Sequence, residues 1–218
     1  MTKTLLLLAA ALLLQDSPFN GKDLSGWKTK GPEAKSKWKV GKAVWEKESA
    51  NKLSAAEGSD LVNVDGKGVD LYTEATWGDA VIELEVLVPK GSNSGIYVMG
   101  EYEVQILDSF GKEKVGAGDM GGLYGASAPK LNASKAPGEW QKYVIDYRAP
   151  KFDDKGAKTA NMKFVKIELN GQVIHENVEM KGPTPAGVTG KEAAAGPLMF
   201  QGDHGPVAFR SIKVTPVP

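Results

Sequence analysis

Residues 80–88 read Ala-Val-Ile-Glu-Leu-Glu-Val-Leu-Val, from Ala80 to Val88. The two glutamates, Glu83 and Glu85, fall on one side of a period of two, and Ile82, Leu84 and Val86 on the other. That is the pattern of a strand with one face on a core. Pro89-Lys90-Gly91 ends it with turn chemistry. The same alternation recurs on both sides. Phe164 to Leu169 and Val173 to Val178 are joined by Asn170-Gly171, the dipeptide best suited to a two-residue hairpin turn. Gly95 to Met99 and Tyr102 to Leu107 flank Gly100, Trp140 to Tyr147 alternates, and Leu198 to Gln201 and Val207 to Val214 close the series. Trp38-Lys39-Val40 and Val44-Trp45 flank Gly41-Lys42, which predicts a further hairpin.

These segments predict ten or more short strands with almost no helix, hence an all-β sandwich or jelly roll rather than a parallel sheet. The 26 glycines and 12 prolines in 218 residues fit a chain of many turns. Two stretches, 111–138 and 181–196, carry no strand pattern. Loops of that length in a compact domain commonly serve as lids or binding loops. The pattern resumes beyond each, which predicts one domain over residues 19–218.

Residues 1–15 belong to something else. Lys3 precedes an apolar run from Leu5 to Leu14, and Gln15-Asp16-Ser17-Pro18 stops it. A basic start, a short apolar stretch and a polar stop predict a signal peptide cleaved near Gln15, and a secreted or periplasmic destination. Intact mass of the exported protein reads the cut directly. The run is too short for a stable bilayer-spanning helix, so no membrane association is expected once it is removed. Cysteine is absent, which rules out disulfides, thiolate nucleophiles and Cys-ligated metals. With 27 basic and 27 acidic residues, the chain has no electrostatic footprint for nucleic acid.

Several segments together resemble the 3-keto-disaccharide hydrolase family. They are Phe19-Asn20-Gly21-Lys22-Asp23-Leu24-Ser25-Gly26-Trp27, Asn93-Ser94-Gly95-Ile96-Tyr97, Gly100-Glu101-Tyr102-Glu103-Val104-Gln105-Ile106-Leu107-Asp108 and Pro137-Gly138-Glu139-Trp140. The last is Gly196-Pro197-Leu198-Met199-Phe200-Gln201 with Asp203-His204-Gly205-Pro206-Val207-Ala208-Phe209-Arg210. The resemblance runs from Phe19 to the C-terminus. It implies a concanavalin-A-like jelly-roll sandwich of two curved antiparallel sheets, a carbohydrate partner and a hydrolase acting on 3-keto sugars. Many members carry arginine where this chain has Glu101, which reverses a charge beside the expected site.

On the residues themselves, strand parity puts Glu101, Glu103 and Gln105 on one face and Tyr102, Val104 and Ile106 toward the core. A row of acids and amides on a sheet face is costly unless it meets water or a polar ligand. Neighbouring carboxylates can separate into an acid and a base; a solvated outer face is the plain alternative. His204, in a loop without hydrophobic period, can act as acid, base or ligand, or simply cap a turn. The catalytic candidates are therefore Glu103 and His204, with Glu101, Gln105, Tyr97, Tyr124, Trp77 and Arg210 as substrate-binding candidates. Aromatic faces stack on the C–H faces of sugar rings, and Tyr124 lies in a glycine-rich loop. Trp140 reads as core packing and His175 as structural or solvated. No cofactor is required by any motif; a divalent cation held by Asp108 or Asp203 is the one metal reading open. A non-catalytic carbohydrate-binding module on the same sandwich is the competing function.

Overall fold

The computed structural model describes residues 15–47 and 51–218, so the expected signal peptide lies almost wholly outside the described residues. The fold is all-β. Its strands are β1 (Trp27–Lys30), β2 (Trp38–Trp45), β3 (Leu53–Asn63), β4 (Asp70–Thr73), β5 (Ala80–Leu87), β6 (Asn93–Val98), β7 (Tyr102–Leu107), β8 (Trp140–Arg148), β9 (Lys151–Phe152), β10 (Lys158–Ala160), β11 (Met162–Leu169), β12 (Gln172–Met180), β13 (Met199–Phe200) and β14 (Val207–Pro216). A single 3-10 turn, Glu33–Lys35, is the helical content of the described residues. Two antiparallel sheets make the sandwich: a seven-stranded one in the order β12-β11-β8-β5-β14-β3-β2, and a five-stranded one in the order β1-β4-β13-β6-β7. This is the expected jelly-roll sandwich of two antiparallel sheets.

The core lies between the sheets. Ile82, Leu84 and Val86 of β5 face it, as the alternation requires, beside Tyr143, Ile145 and Tyr147 of β8 and Phe164, Ile167 and Leu169 of β11. From the five-stranded sheet come Ile96 and Val98, Tyr102, Val104 and Ile106, and Phe200. The sheets meet in one aromatic stack. Phe200 and Phe209 lie 3.8 Å apart at 9°, with Trp27 stacked on Phe200 at 5.5 Å. A smaller apolar cluster covers the opposite face of the seven-stranded sheet, where Leu53, Val62, Leu87 and Ala208 are packed by Trp45 and Trp140.

Asn170-Gly171 forms the expected turn between β11 and β12. Both residues have positive φ, 53° and 79°, as a type I′ hairpin demands. Asn170 also ties neighbouring elements together: its Nδ2 donates to Ala133 O and Gln141 Oε1, and its Oδ1 accepts from Lys142 N.

The expected hairpin at Gly41-Lys42 is corrected. Trp38–Trp45 is one continuous strand paired along β3, and its register slips between Gly41 and Lys42. Glycine marks a bulge here rather than a reversal, because the long β3 offers a partner on both sides of the slip. A Cβ on Gly41 would stand 2.4 Å from Ala56 O. The fold also starts before residue 19. Asp16 bridges Val214 through two backbone hydrogen bonds of 2.8 and 2.9 Å.

Candidate functional site

The site lies on the face of the five-stranded sheet turned away from the core. Antiparallel register places Lys28, Tyr72, Met199, Tyr97 and Glu103 in one cross-strand row. Strand parity on β6 puts Asn93, Gly95 and Tyr97 on the same face; on β7 it puts Glu103 and Gln105 there. Asn93, Tyr97, Glu103 and Gln105, with Gln201 after β13, line a cavity of about 150 Å³ that is completed by Tyr124, Pro185, Ala186 and His204. Glu103 and His204, expected as a pair, thus line one cavity.

Glu103 is 3% exposed. Removal from water pushes its carboxyl up to about 7, against the opposing effects of the Tyr97 hydrogen bond and the His204 charge, with Asp70 and Asp203 adding to the rise. Tyr97 donates to Glu103 Oε2 at 3.0 Å, and the Pro185 carbonyl stands 3.2 Å from the same phenol. Burial first, and then the Glu103 charge, hold that phenol far above its ordinary range, so it remains a donor. Room for the carboxylate comes from Gly95, where an added Cβ would stand 2.4 Å from Glu103 Oε1. Gly95→Ala is therefore expected to displace the carboxylate from Tyr97. Turnover should fall at least tenfold while the melting midpoint moves little. An unaltered rate in this variant would show that the carboxylate position does not matter.

Two carboxamides on the cavity wall have oxygens without a partner: Gln105 Oε1 and Asn93 Oδ1. Buried acceptors are ordinarily satisfied, and unpaired ones beside a cavity suit the hydroxyls of a polyol. Gln105 Nε2 donates to Gly118 O at 3.3 Å. Tyr124, 42% exposed, is brought to the cavity by its own backbone, since Tyr124 N donates to Glu103 O and Val104 bridges Leu123. Its segment is held from beneath by His175. That histidine is 2% exposed, donates from Nε2 to Gly121 O at 2.8 Å, and is kept neutral chiefly by burial.

His204 sits on a turn whose backbone is held by its neighbours. Asn63 Nδ2 holds the Gly202 and Gly205 carbonyls. An added Cβ on Gly205 would meet Ser92 Oγ at 2.4 Å. The imidazole is about half exposed and its Nδ1 lies 2.5 Å from Asp203 Oδ1.

Three expected substrate-binding residues are placed elsewhere. Arg210 belongs to β14 in the seven-stranded sheet, where it bonds Glu85 at 2.9 and 3.2 Å and lies 4.0 Å over the Trp140 ring. The other sheet and the core separate it from the cavity. Trp77 is buried, bridges Gly196 and donates from Nε1 to Asp16 Oδ2, so it secures the segment around Asp16. Glu101 lies in the three-residue turn before β7, where strand parity no longer holds. Its carboxylate accepts from Thr189 N (2.7 Å), Thr189 Oγ1 (2.8 Å) and Gly190 N (2.9 Å). It therefore grips the 181–196 loop rather than facing the cavity.

As for a cation, Asp108 accepts from Gly91 N and Asp203 faces His204. No group of three or more His, Cys, Asp or Glu side chains able to hold a metal occurs among the described residues.

Sequence reading missed Asn93, Gly95, Gln201, Pro185 and Ala186. Parity counted back from Tyr97 reaches Gly95 and Asn93, so that signal was present. The 181–196 loop was marked by its length as a binding loop, but nothing in it singled out Pro185 or Ala186. Asp70, 8% exposed and adding to the rise at Glu103, lies on β4, a strand with too short a pattern to read.

A jelly-roll sandwich with a polar cavity of buried carboxylate, phenol and carboxamides on its outer sheet face is the arrangement of a carbohydrate-active enzyme. Comparison with family models gives the narrower placement. Residues 16–215 match the 3-keto-alpha-glucoside-1,2-lyase-like domain, and the chain belongs to that family. A candidate glycosyl hydrolase from Parabacteroides distasonis is 29% identical over 93% of this chain and 84% of its own, with a TM-score of 0.73. A second candidate glycosyl hydrolase from that organism shares the fold at 18% identity and a TM-score of 0.62, over 94% of each chain. No curated protein matches.

Proposed function

We propose that this protein cleaves the glycosidic bond of 3-keto-glycosides by elimination, with Glu103 as the base. The observation that carries the reading is the Glu103 carboxyl, buried in the cavity and raised to about 7. A general base works best with a proton affinity near the operating pH. A glutamate of ordinary proton affinity is a weaker base toward a carbon-bound proton. An ordinary sugar offers no acidic one; a ketone at C3 makes the proton on C2 acidic.

In the proposed step Glu103 takes the C2 proton, and the C2–H electron pair forms the enolate across C2, C3 and the C3 oxygen. The C3 carbonyl then reforms, a double bond forms between C1 and C2, and the C1–O bond breaks with its electron pair on the leaving oxygen. His204 supplies the proton that makes the leaving group an alcohol. The carboxamides of Asn93, Gln105 and Gln201 line the cavity around the reacting ring; preorganised dipoles of this kind commonly supply much of the rate. Water added across the double bond completes a net hydrolysis.

The competing binding-module reading calls for an exposed aromatic platform and no base. Tyr124 alone of the cavity residues is an exposed aromatic, which favours catalysis. The test is incubation with matched pairs of 3-keto and unoxidised disaccharides. Released monosaccharide, together with the ultraviolet absorbance of the unsaturated ketone, is expected from the 3-keto member only. Tight binding of either member without cleavage would establish the module.

A further inference from the structure

A hollow of about 540 Å³ adjoins the catalytic cavity, and the two share Tyr124 and Pro185 as walls. It is lined further by Gly125, Ala126, Glu179, Met180, Lys181, Gly182, Pro183 and Thr184. We infer that this hollow receives the leaving sugar of a 3-keto-disaccharide, as a second ring-binding subsite across the Tyr124–Pro185 seam. The inference rests on the elimination reading above and names the part of the substrate that it leaves open.

The argument begins with size. The catalytic cavity holds about 150 Å³, well short of the roughly 300–1,000 Å³ of sites that enclose a drug-sized ligand. It takes one ring, and the second ring of a disaccharide must lie outside. Tyr124, one of four large hydrophobic side chains exposed among the described residues, stands where the rings would join. Its apolar face is available to stack and its position is fixed by the backbone bond to Glu103 O.

The wall between the cavity and the hollow is preformed. Thr184 Oγ1 accepts from Glu103 N and donates to Glu101 O, Tyr97 faces the Pro185 carbonyl, and Lys30 donates to Ala186 O. A subsite built on such a pinned wall loses little freedom when a ring enters. Its rim is polar: Glu179, held by Asn161, and Lys181 present an acceptor and a donor to hydroxyl groups. The occupant is therefore a neutral, hydroxylated ring with one apolar face, rather than an alkyl or aryl leaving group.

Gly182 provides the test. A Cβ built there meets nothing within 4 Å, and its φ lies outside the left-handed region, so Gly182→Trp fills the hollow without strain. The kcat/KM of a 3-keto-disaccharide is compared with that of the methyl 3-keto-glycoside bearing the same oxidised ring. The wild type is expected to favour the disaccharide at least tenfold, and Gly182→Trp to reduce that ratio tenfold or more. The free leaving monosaccharide should inhibit the wild type competitively and the variant much less. An unchanged ratio, with both substrates still turned over, overturns the subsite and leaves the elimination reading standing. If the wild type turns over neither substrate, the elimination reading fails and the subsite with it.

Discussion

Replacing Glu103 by glutamine is expected to lower single-turnover cleavage of a 3-keto-disaccharide by a factor on the order of 10² to 10⁴, the usual contribution of a positioned proton-transfer group. Glutamine keeps the shape and an acceptor for Tyr97 but cannot take the C2 proton. The wild-type kcat/KM should rise with pH through about 7, where Glu103 loses its proton, and the residual activity of the variant should lack that limb.

Stability should move the other way. The folded carboxyl binds its proton more tightly than the unfolded one, whose ordinary value is 4.5. Between about 4.5 and 7 the native state keeps a proton that the unfolded chain has shed, so this group's contribution to stability declines as pH rises through that window. Glutamine removes the decline. Above pH 7 the variant should be more stable than the wild type by about 2 kcal/mol, allowing for a weaker bond from Tyr97. Melting curves at pH 5 and pH 8 read both effects. Full activity in Glu103→Gln would rule out this residue as the base, and a loss of stability at pH 8 would mean that the charge supports the fold.

Removing the Glu101 carboxylate should damage the site from a distance. Glu101→Ala deprives Thr189 N, Thr189 Oγ1 and Gly190 N of their shared acceptor. Hydrogen bonds to a charged group are worth about 1.5–3 kcal/mol each, and water recovers part of that at the exposed end of the loop. A net loss of about 2 kcal/mol is expected, or roughly 4–8 °C in melting midpoint for a chain of this size. The kinetic signature is more specific. The loop places Pro185 and Ala186 on the cavity wall, with Ala186 at φ 65°, a conformation that a loosened loop would abandon. KM should rise about tenfold with kcat less affected, and Glu101→Gln, which keeps an acceptor oxygen, should fall between. An unmoved KM in Glu101→Ala would show that the wall does not depend on this grip.

Glu101 also shows where sequence reading stops. Parity along a strand is a local property, so it correctly paired Glu103 with Gln105 and turned Tyr102, Val104 and Ile106 inward. It fails one residue earlier, where Met99 and Gly100 take positive φ and the chain turns. Arg210 fails for another reason. Its strand was legible, but not which of the two sheets that strand joins, because pairing with β5 and β3 is a long-range outcome. Asn170-Gly171 was legible because a two-residue turn carries its geometry in its own residues. The 181–196 wall was not, because its conformation is set by Glu101, Thr184 and Lys30 rather than by any period of its own.

The slip in register at Gly41 has a consequence for crowded solution. A sandwich, unlike a closed barrel, leaves strand edges whose unpaired amides can template fibrils. β2 is the last strand of the seven-stranded sheet, and its ladder with β3 is interrupted at the slip between Gly41 and Lys42. Asp60 of β3 takes up the Ala43 amide left by the slip at 2.9 Å, and on β2 itself Lys39 and Lys42 are exposed. At the opposite end, Lys130 N occupies the Ile174 carbonyl and Asn177 takes φ 53°, interrupting β12. On the five-stranded sheet, the Gly121–Tyr124 segment that delivers an aromatic to the cavity also covers the outer edge of β7. A chain without a disulfide to hold its partly opened forms together thus carries its protection against fibril growth in its margins, and at the β7 margin that protection and the proposed sugar site share one segment.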